Sequence, residues 1–165
     1  MKLYLIRHGA AVERGESVAE EHRYLTIRGR LSFRLTAKRM AKKEEMPDVI
    51  ISSPLARALQ TAEILSEALG FEGEVVVAPE LAPGFDQNKL RRVLASYKGK
   101  AALALVGHEP DLSDVAGALL GLAQPLPMKK GMVACLKVDP GQKIAKASLK
   151  WLLFEGKKVN PSDKP

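Results

Sequence analysis

Two histidines and two arginines stand where folding can bring them together. Arg7, His8 and Gly9 follow directly on the apolar run Leu3-Tyr4-Leu5-Ile6, and Gly107, His108, Glu109 and Pro110 follow in the same way on the run from Ala101 to Val106. Arg57 lies within Ser52-Ser53-Pro54-Leu55-Ala56-Arg57-Ala58-Leu59-Gln60-Thr61, where an apolar run gives way to a helical period. Guanidinium groups bind phosphoryl oxygens bidentately, helix N-termini add backbone donors, and a neutral imidazole can attack phosphorus. A pocket holding all four side chains suits a phosphoryl group. Taken singly, each histidine reads as a hydrogen-bonded structural residue and Arg57 as a solvated one; their joint placement after separate strands points to chemistry. The single cysteine, Cys135, and three histidines spaced 14 and 86 residues apart offer no metal-ligand spacing, so neither a metal nor another cofactor is expected.

These residues need a scaffold of strand ends. Short β-rich runs alternate with stretches of helical period, the pattern of an α/β domain: a three-layer sandwich with a mainly parallel central sheet of about six strands flanked by helices. The expected strands are Lys2 to Ile6, Asp48 to Ser52, Glu74 to Ala78, Ala101 to Val106, Met132 to Val138 and Lys146 to Phe154, the last two joined as a hairpin around Asp139, Pro140 and Gly141. Open α/β sheets bind ligands at the C-terminal ends of their strands, where both histidines fall.

Four helices are expected. One has Ser53 as N-cap and Pro54 as first residue, buries Leu55, Leu59, Ala62, Leu65 and Leu69, and stops at Gly70. Another follows Asp86 as N-cap with Leu90, Val93, Leu94 and Tyr97, and a third lies after Pro110 and before Gly121 on Leu112, Val115, Ala116, Leu119 and Leu120. The remaining helix starts near Thr26 and spans Ile27 to Glu45; Ile27, Leu31, Leu35 and Met40 form its expected buried stripe, with Arg28, Arg30, Arg34, Lys38, Arg39, Lys42 and Lys43 facing water. Cys135 reads as a buried strand residue and Trp151 as core or hairpin packing.

Composition narrows the class of protein. The chain has 165 residues, 46% of them apolar and 27% charged, which suits one globular domain, expected over residues 1–155 with 156–165 as a flexible tail. No apolar run is long enough for a membrane span, and the one at the N-terminus is too short for a signal peptide, so a cytoplasmic location is expected. The net charge of +7 favours an anionic partner: nucleic acid, an acidic protein surface or a phosphorylated substrate. With aromatics at 5%, base stacking has little support, and no specific nucleic-acid or membrane partner is expected.

Leu5-Ile6-Arg7-His8-Gly9, Leu25-Thr26-Ile27-Arg28-Gly29, Ser52-Ser53-Pro54-Leu55-Ala56-Arg57-Ala58-Leu59-Gln60-Thr61-Ala62 and Val106-Gly107-His108-Glu109-Pro110, in this order, resemble the motifs of the histidine phosphatase superfamily. The length is that of its small, SixA-like phosphohistidine phosphatase branch. The resemblance implies that His8 is the nucleophile that becomes phosphorylated and that Arg7, Arg57 and His108 hold the phosphoryl oxygens, without a metal. It assigns Arg23 to substrate binding. The chain departs from larger relatives in carrying Arg14 where they often have an asparagine, and in offering either Glu80 or Asp86 in place of their acidic proton donor. It also lacks length for the insertions with which they enclose small substrates.

The leading expectation is thus a metal-independent phosphatase acting through a phosphohistidine intermediate on a phosphorylated protein, such as a phosphohistidine-containing domain. A phosphatase of a small phosphorylated metabolite uses the same residues. A basic phosphoprotein or nucleic-acid binding module without catalysis rests mainly on the charge and leaves His8 and His108 unexplained.

Overall fold

The computed structural model describes residues 1–15, 17–139 and 146–161. Seven strands form one sheet: β1 (Lys2–Arg7), β2 (Val49–Ser52), β3 (Val75–Val77), β4 (Ala102–Gly107), β5 (Val133–Asp139), β6 (Lys146–Phe154) and β7 (Lys157–Val159). Their order is β3-β2-β4-β1-β5-β6-β7. Four helices accompany them: α1 (Ile27–Ala41), α2 (Ala56–Leu69), α3 (Gln87–Ser96) and α4 (Asp111–Leu120).

Alternation along the central strands divides the core into two layers. Leu3 and Leu5 of β1 lie beside Leu103 and Leu105 of β4 and pack with Leu90, Val93, Leu112 and Val115 of α3 and α4. Tyr4 and Ile6 lie beside Ala104 and Val106 and pack with Phe33, Ala37 and Met40 of α1 and with Ala58, Ala62 and Leu65 of α2. Because both faces are covered, these strands are apolar at nearly every position. The three-layer α/β architecture is as expected.

The sheet corrects two details. The ladders among β1, β2, β3 and β4 are parallel, but those of β5 with β1, β6 with β5 and β7 with β6 are antiparallel, so the sheet is half parallel. The seventh strand, Lys157–Val159, lies where a flexible tail was expected; it pairs with Leu152, Leu153 and Phe154. Its two lysines hid it, since exposed edge strands carry charge that apolar-run counting discards. Pro140 and Gly141 of the expected turn lie outside the described residues, as do residues 162–165.

Two helix expectations also shift. Ser53 does not cap α2: the helix begins at Ala56 with Leu55 as N-cap, and it ends as expected at Gly70, whose φ of 60° closes the turn. In α1 the buried side is Gly29, Phe33, Thr36, Ala37 and Met40, while Ile27, Leu31 and Leu35 are 80%, 61% and 54% exposed. Two small residues and a threonine share that inward side, allowing α1 to lie close to the sheet. An apolar period read from large side chains alone selects the opposite face. Trp151 stacks obliquely on Tyr4 at 5.9 Å between ring centres, and Cys135 is buried.

Candidate active site

Three strand ends and one helix assemble the site. His8 leaves β1 with its amide bonded to the Gly107 carbonyl at the end of β4, and the Arg7 and His8 carbonyls both accept from the Gly131 amide. The adjacent β1 and β4 therefore deliver His8 and His108 side by side, 5.2 Å apart between ring centres. Arg57 enters from the first turn of α2 and donates Nε–H to His8 Nε2 over 3.2 Å.

The ring of His8 is held in one tautomer. Its Nδ1 lies 2.7 Å from the Gly9 carbonyl, which can only accept, so Nδ1 carries the proton and Nε2 keeps its lone pair. The Gly9 amide donates to Thr61 Oγ1, which in turn donates to the Arg57 carbonyl, tying the loop after β1 to α2. Behind the loop, Thr26 caps α1 by accepting from the Gly29 amide, and its own amide donates to the Ala10 carbonyl. A Cβ at Gly29 would stand 2.1 Å from that carbonyl oxygen, so only glycine allows the close approach.

Burial sets the charge state. His8 and His108 are 8% and 4% exposed, and desolvation is the main reason their pKa values fall to about 3 and about 4. His108, Arg57 and Arg7 reinforce the fall for His8, against the bond to Gly9, and Arg57 reinforces it for His108, against the charge of Glu20. Both rings are neutral at pH 7. His108 Nε2 meets Ser53 Oγ at 2.7 Å, while that oxygen also accepts from the Leu55 amide. In the tautomer in which Ser53 donates to Nε2, the ring proton of His108 sits on Nδ1, a buried atom without a partner. Arg7 Nη1 donates to the Met128 carbonyl, and its Nε is likewise buried and unpartnered. Two donors are thus left over beside His8, as an oxyanion site requires.

Glu20 is the residue the sequence did not single out. Its carboxylate takes Nη2 of Arg57 at 2.9 Å, Nη1 of Arg23 at 3.1 Å and Nε of Arg14 at 3.0 Å, and its carbonyl takes Nη1 of Arg57. Desolvation disfavours its charge, but the Arg23 bond and the charges of Arg57, Arg23 and Arg14 outweigh it and keep the carboxyl ionised. Arg23 thus lies beside Arg57, joined to it through one carboxylate oxygen. No spacing rule marks Glu20 in its short 3-10 turn, Glu20–His22.

The two acids considered as proton donors do not join this group. Asp86 caps α3 by accepting from the Lys89 amide, and Glu80 lies in another 3-10 turn, Pro79–Leu81; neither bonds to Arg7, His8, Arg57 or His108. Glu109, inside the fourth motif, is the carboxyl with a raised pKa: burial pushes it up, Ser113 Oγ donates to its Oε2, and Oε1 is buried without a partner. It is within electrostatic range of Arg7. Among the described residues no cluster of three or more His, Cys, Asp or Glu side chains is placed to hold a metal ion, and no helix is long and apolar enough to cross a membrane.

Comparison with known proteins adds four findings. The sequence model described as histidine phosphatase superfamily (branch 1) matches residues 3–83, a span containing Arg7, His8 and Arg57. An uncharacterized protein of Picosynechococcus sp. is 39% identical over 122 residues, covering 72% of this chain and 73% of that protein. The mitochondrial serine/threonine-protein phosphatase Pgam5 of Drosophila ananassae is 36% identical over 75 residues, 46% of this chain but only 25% of Pgam5. In three dimensions, the protein histidine phosphatase SixA complexed with tungstate superposes with a TM-score of 0.84 at 23% identity, over 94% of this chain and 97% of that one.

Proposed function

The chain belongs to the histidine phosphatase superfamily, and from that premise we propose that it removes phosphoryl groups from phosphohistidine on a protein, through a phosphorylated His8. One observation carries the reading: His8 is locked with Nδ1 on the Gly9 carbonyl, so a neutral Nε2 faces two arginines and a second imidazole.

The reaction proceeds by two displacements. His8 Nε2 attacks phosphorus in line; the Nε2–P bond forms as the substrate P–N bond breaks, and the departing ring, already protonated on its other nitrogen, keeps the electron pair of that bond and leaves as neutral imidazole. Arg57 turns its donors from His8 and Glu20 toward the phosphoryl oxygens, joined by Arg7 Nε and His108 Nδ1. Fixed donors of this kind supply most of the rate in phosphoryl transfer. Water then attacks the phosphoryl group, the Nε2–P bond breaks back onto His8, and inorganic phosphate leaves with the proton balance closed by the water. None of these steps calls for a metal ion, because cationic and neutral donors already surround the oxygens.

Arg23, sharing Glu20 with Arg57, is placed to receive an anionic group flanking the scissile phosphoryl. Initial rates on a phosphohistidine peptide, a phosphoserine peptide and a panel of sugar phosphates test the reading. The phosphohistidine peptide is expected to be fastest; a sugar phosphate turned over faster would overturn it in favour of a metabolite phosphatase, and no turnover in any arm would return the chain to a binding role.

A further inference from the structure

Helix α1 turns a column of branched side chains to water. Ile27, Leu31 and Leu35 recur every four residues along about 12 Å of helix, diametrically opposite the buried side of Phe33, Thr36 and Met40. By helical spacing Arg28 and Arg39 run along one flank of the column and Arg30 and Arg34 along the other. Arg34 is paired with Glu67; the other three form no ion pair among the described residues. A surface helix ordinarily shows its charges outward and its apolar stripe inward. Here a folded helix shows both outward, and a solvent-facing apolar column rimmed by cations is the composition of an interface.

Through Arg28 the column borders the approach to Arg7. On its Arg28 flank lies a cavity of about 380 Å³ whose wall includes Arg7, Met128, Met132, Phe154, Lys129 and Lys130. Four cations line that wall against one carboxylate, Glu155, which accepts from Ser32. The cavity thus joins an apolar floor and a basic rim to the arginine beside the nucleophile.

Resting on the phosphohistidine-protein reading above, we propose that this surface docks an acidic amphipathic helix of the phosphorylated partner, with its apolar side chains on Ile27, Leu31 and Leu35 and its carboxylates on Arg28, Lys129 and Lys130. A row at i, i+4 and i+8 is the ridge into which another helix packs. The cations select acidic partners by attraction, and they disfavour a second copy of this chain, which would bring its own arginines against them. A membrane surface is the weaker match, since the column has three aliphatic side chains and no aromatic one.

The test compares two substrates that share one scissile bond: an acidic four-helix domain phosphorylated on an exposed histidine, and a short peptide around the same histidine. The variant is Leu31→Gln with Leu35→Gln, whose native melting temperature is expected because both side chains are solvent-facing. The double substitution is expected to lower kcat/KM on the domain at least tenfold, through KM, and to change the peptide rate less than twofold. Equal kinetics for variant and native protein on the domain would overturn the proposal, as would equal losses on both substrates. So would an effect of the substitution confined to self-association in sedimentation or to binding of anionic phosphatidylglycerol vesicles. If neither substrate is hydrolysed, the proposed function falls, and docking is then decided by titrating the unphosphorylated domain: affinity at least tenfold weaker in the variant supports it, while unchanged affinity or none in either protein overturns it.

Discussion

Arg57 donates its Nε–H to His8 Nε2 across 3.2 Å while both its terminal nitrogens are committed to Glu20. In the proposed reaction the lone pair that attacks phosphorus and the guanidinium that holds its oxygens are therefore bonded to each other, and the guanidinium also to a carboxylate. A phosphoryl dianion entering the site competes with Glu20 for Arg57, Arg23 and Arg14.

Removing that competitor is expected to strengthen oxyanion binding. In Glu20→Gln the inhibition constant of tungstate or vanadate should fall severalfold, because a neutral amide no longer competes for the charge of three arginines. Weaker inhibition would instead make Glu20 a strut that positions those arginines.

Activity should persist well into acid. His8 attacks only when neutral, and its pKa is pushed down to about 3, so the acidic limb of the chemical step should lie well below the value near 6.5 of a free imidazole. A single-turnover pH profile checks this; loss of rate between pH 7 and 6 would mean that His8 is exposed to water in the working enzyme.

Stability should follow the opposite course. The unfolded chain binds protons on His8 and His108 near pH 6.5, the folded chain only near 3 and 4, so stability is complete above about 6.5 and is lost as pH falls toward those values. Each group contributes a slope of up to about 1.4 kcal/mol per pH unit. Denaturant midpoints between pH 7 and 4.5 should fall less steeply in His108→Asn.

His8→Ala should abolish turnover and leave no acid-labile, alkali-stable label on the protein after brief exposure to labelled substrate. Arg57→Lys should also lose at least tenfold in kcat/KM, since a point ammonium cannot reach His8, Glu20 and an oxyanion from one plane. Turnover above about a tenth of the native rate in His8→Ala would remove it as nucleophile.

Leaving-group chemistry yields a further expectation. A protonated phosphohistidine expels neutral imidazole, whereas an alkyl ester must expel an alkoxide and benefits from a positioned acid. Phosphoramidates should react fastest, aryl esters next and alkyl esters slowest. Glu80→Gln and Asp86→Asn should leave phosphohistidine turnover within twofold, in keeping with the absence of a bond from either to Arg7, His8, Arg57 or His108; Glu109→Gln should slow the esters selectively. A selective loss of ester hydrolysis in Asp86→Asn would transfer the acid role to that side chain.

The strand ends that carry Arg7, His8 and His108, and the helix start that carries Arg57, were legible because apolar runs, glycine and the change of period mark them locally. Ser53 and Thr61 were inside a motif that the sequence displayed, yet their partners, His108 and Gly9, are long-range and have no local signature. Glu20 was hidden because the partner that ties it to the site, Arg57, is 37 residues away, while Arg14 and Arg23 are its neighbours in sequence. The facing of α1 was misread because Gly29 and Ala37 bury closely without raising an apolar signal, while the outward leucines do.

The ladders on either side of β1 have a consequence for motion. Between β4 and β5, with Leu3, Tyr4, Leu5 and Ile6 fully buried, its amides can meet solvent only when the sheet itself opens. Hydrogen exchange in these residues should be among the slowest in the molecule, and that of the border strands β3 and β7 much faster. His8, the proposed nucleophile, is thereby fastened to the part of the chain that breathes least, so fraying at either border leaves its aim unchanged.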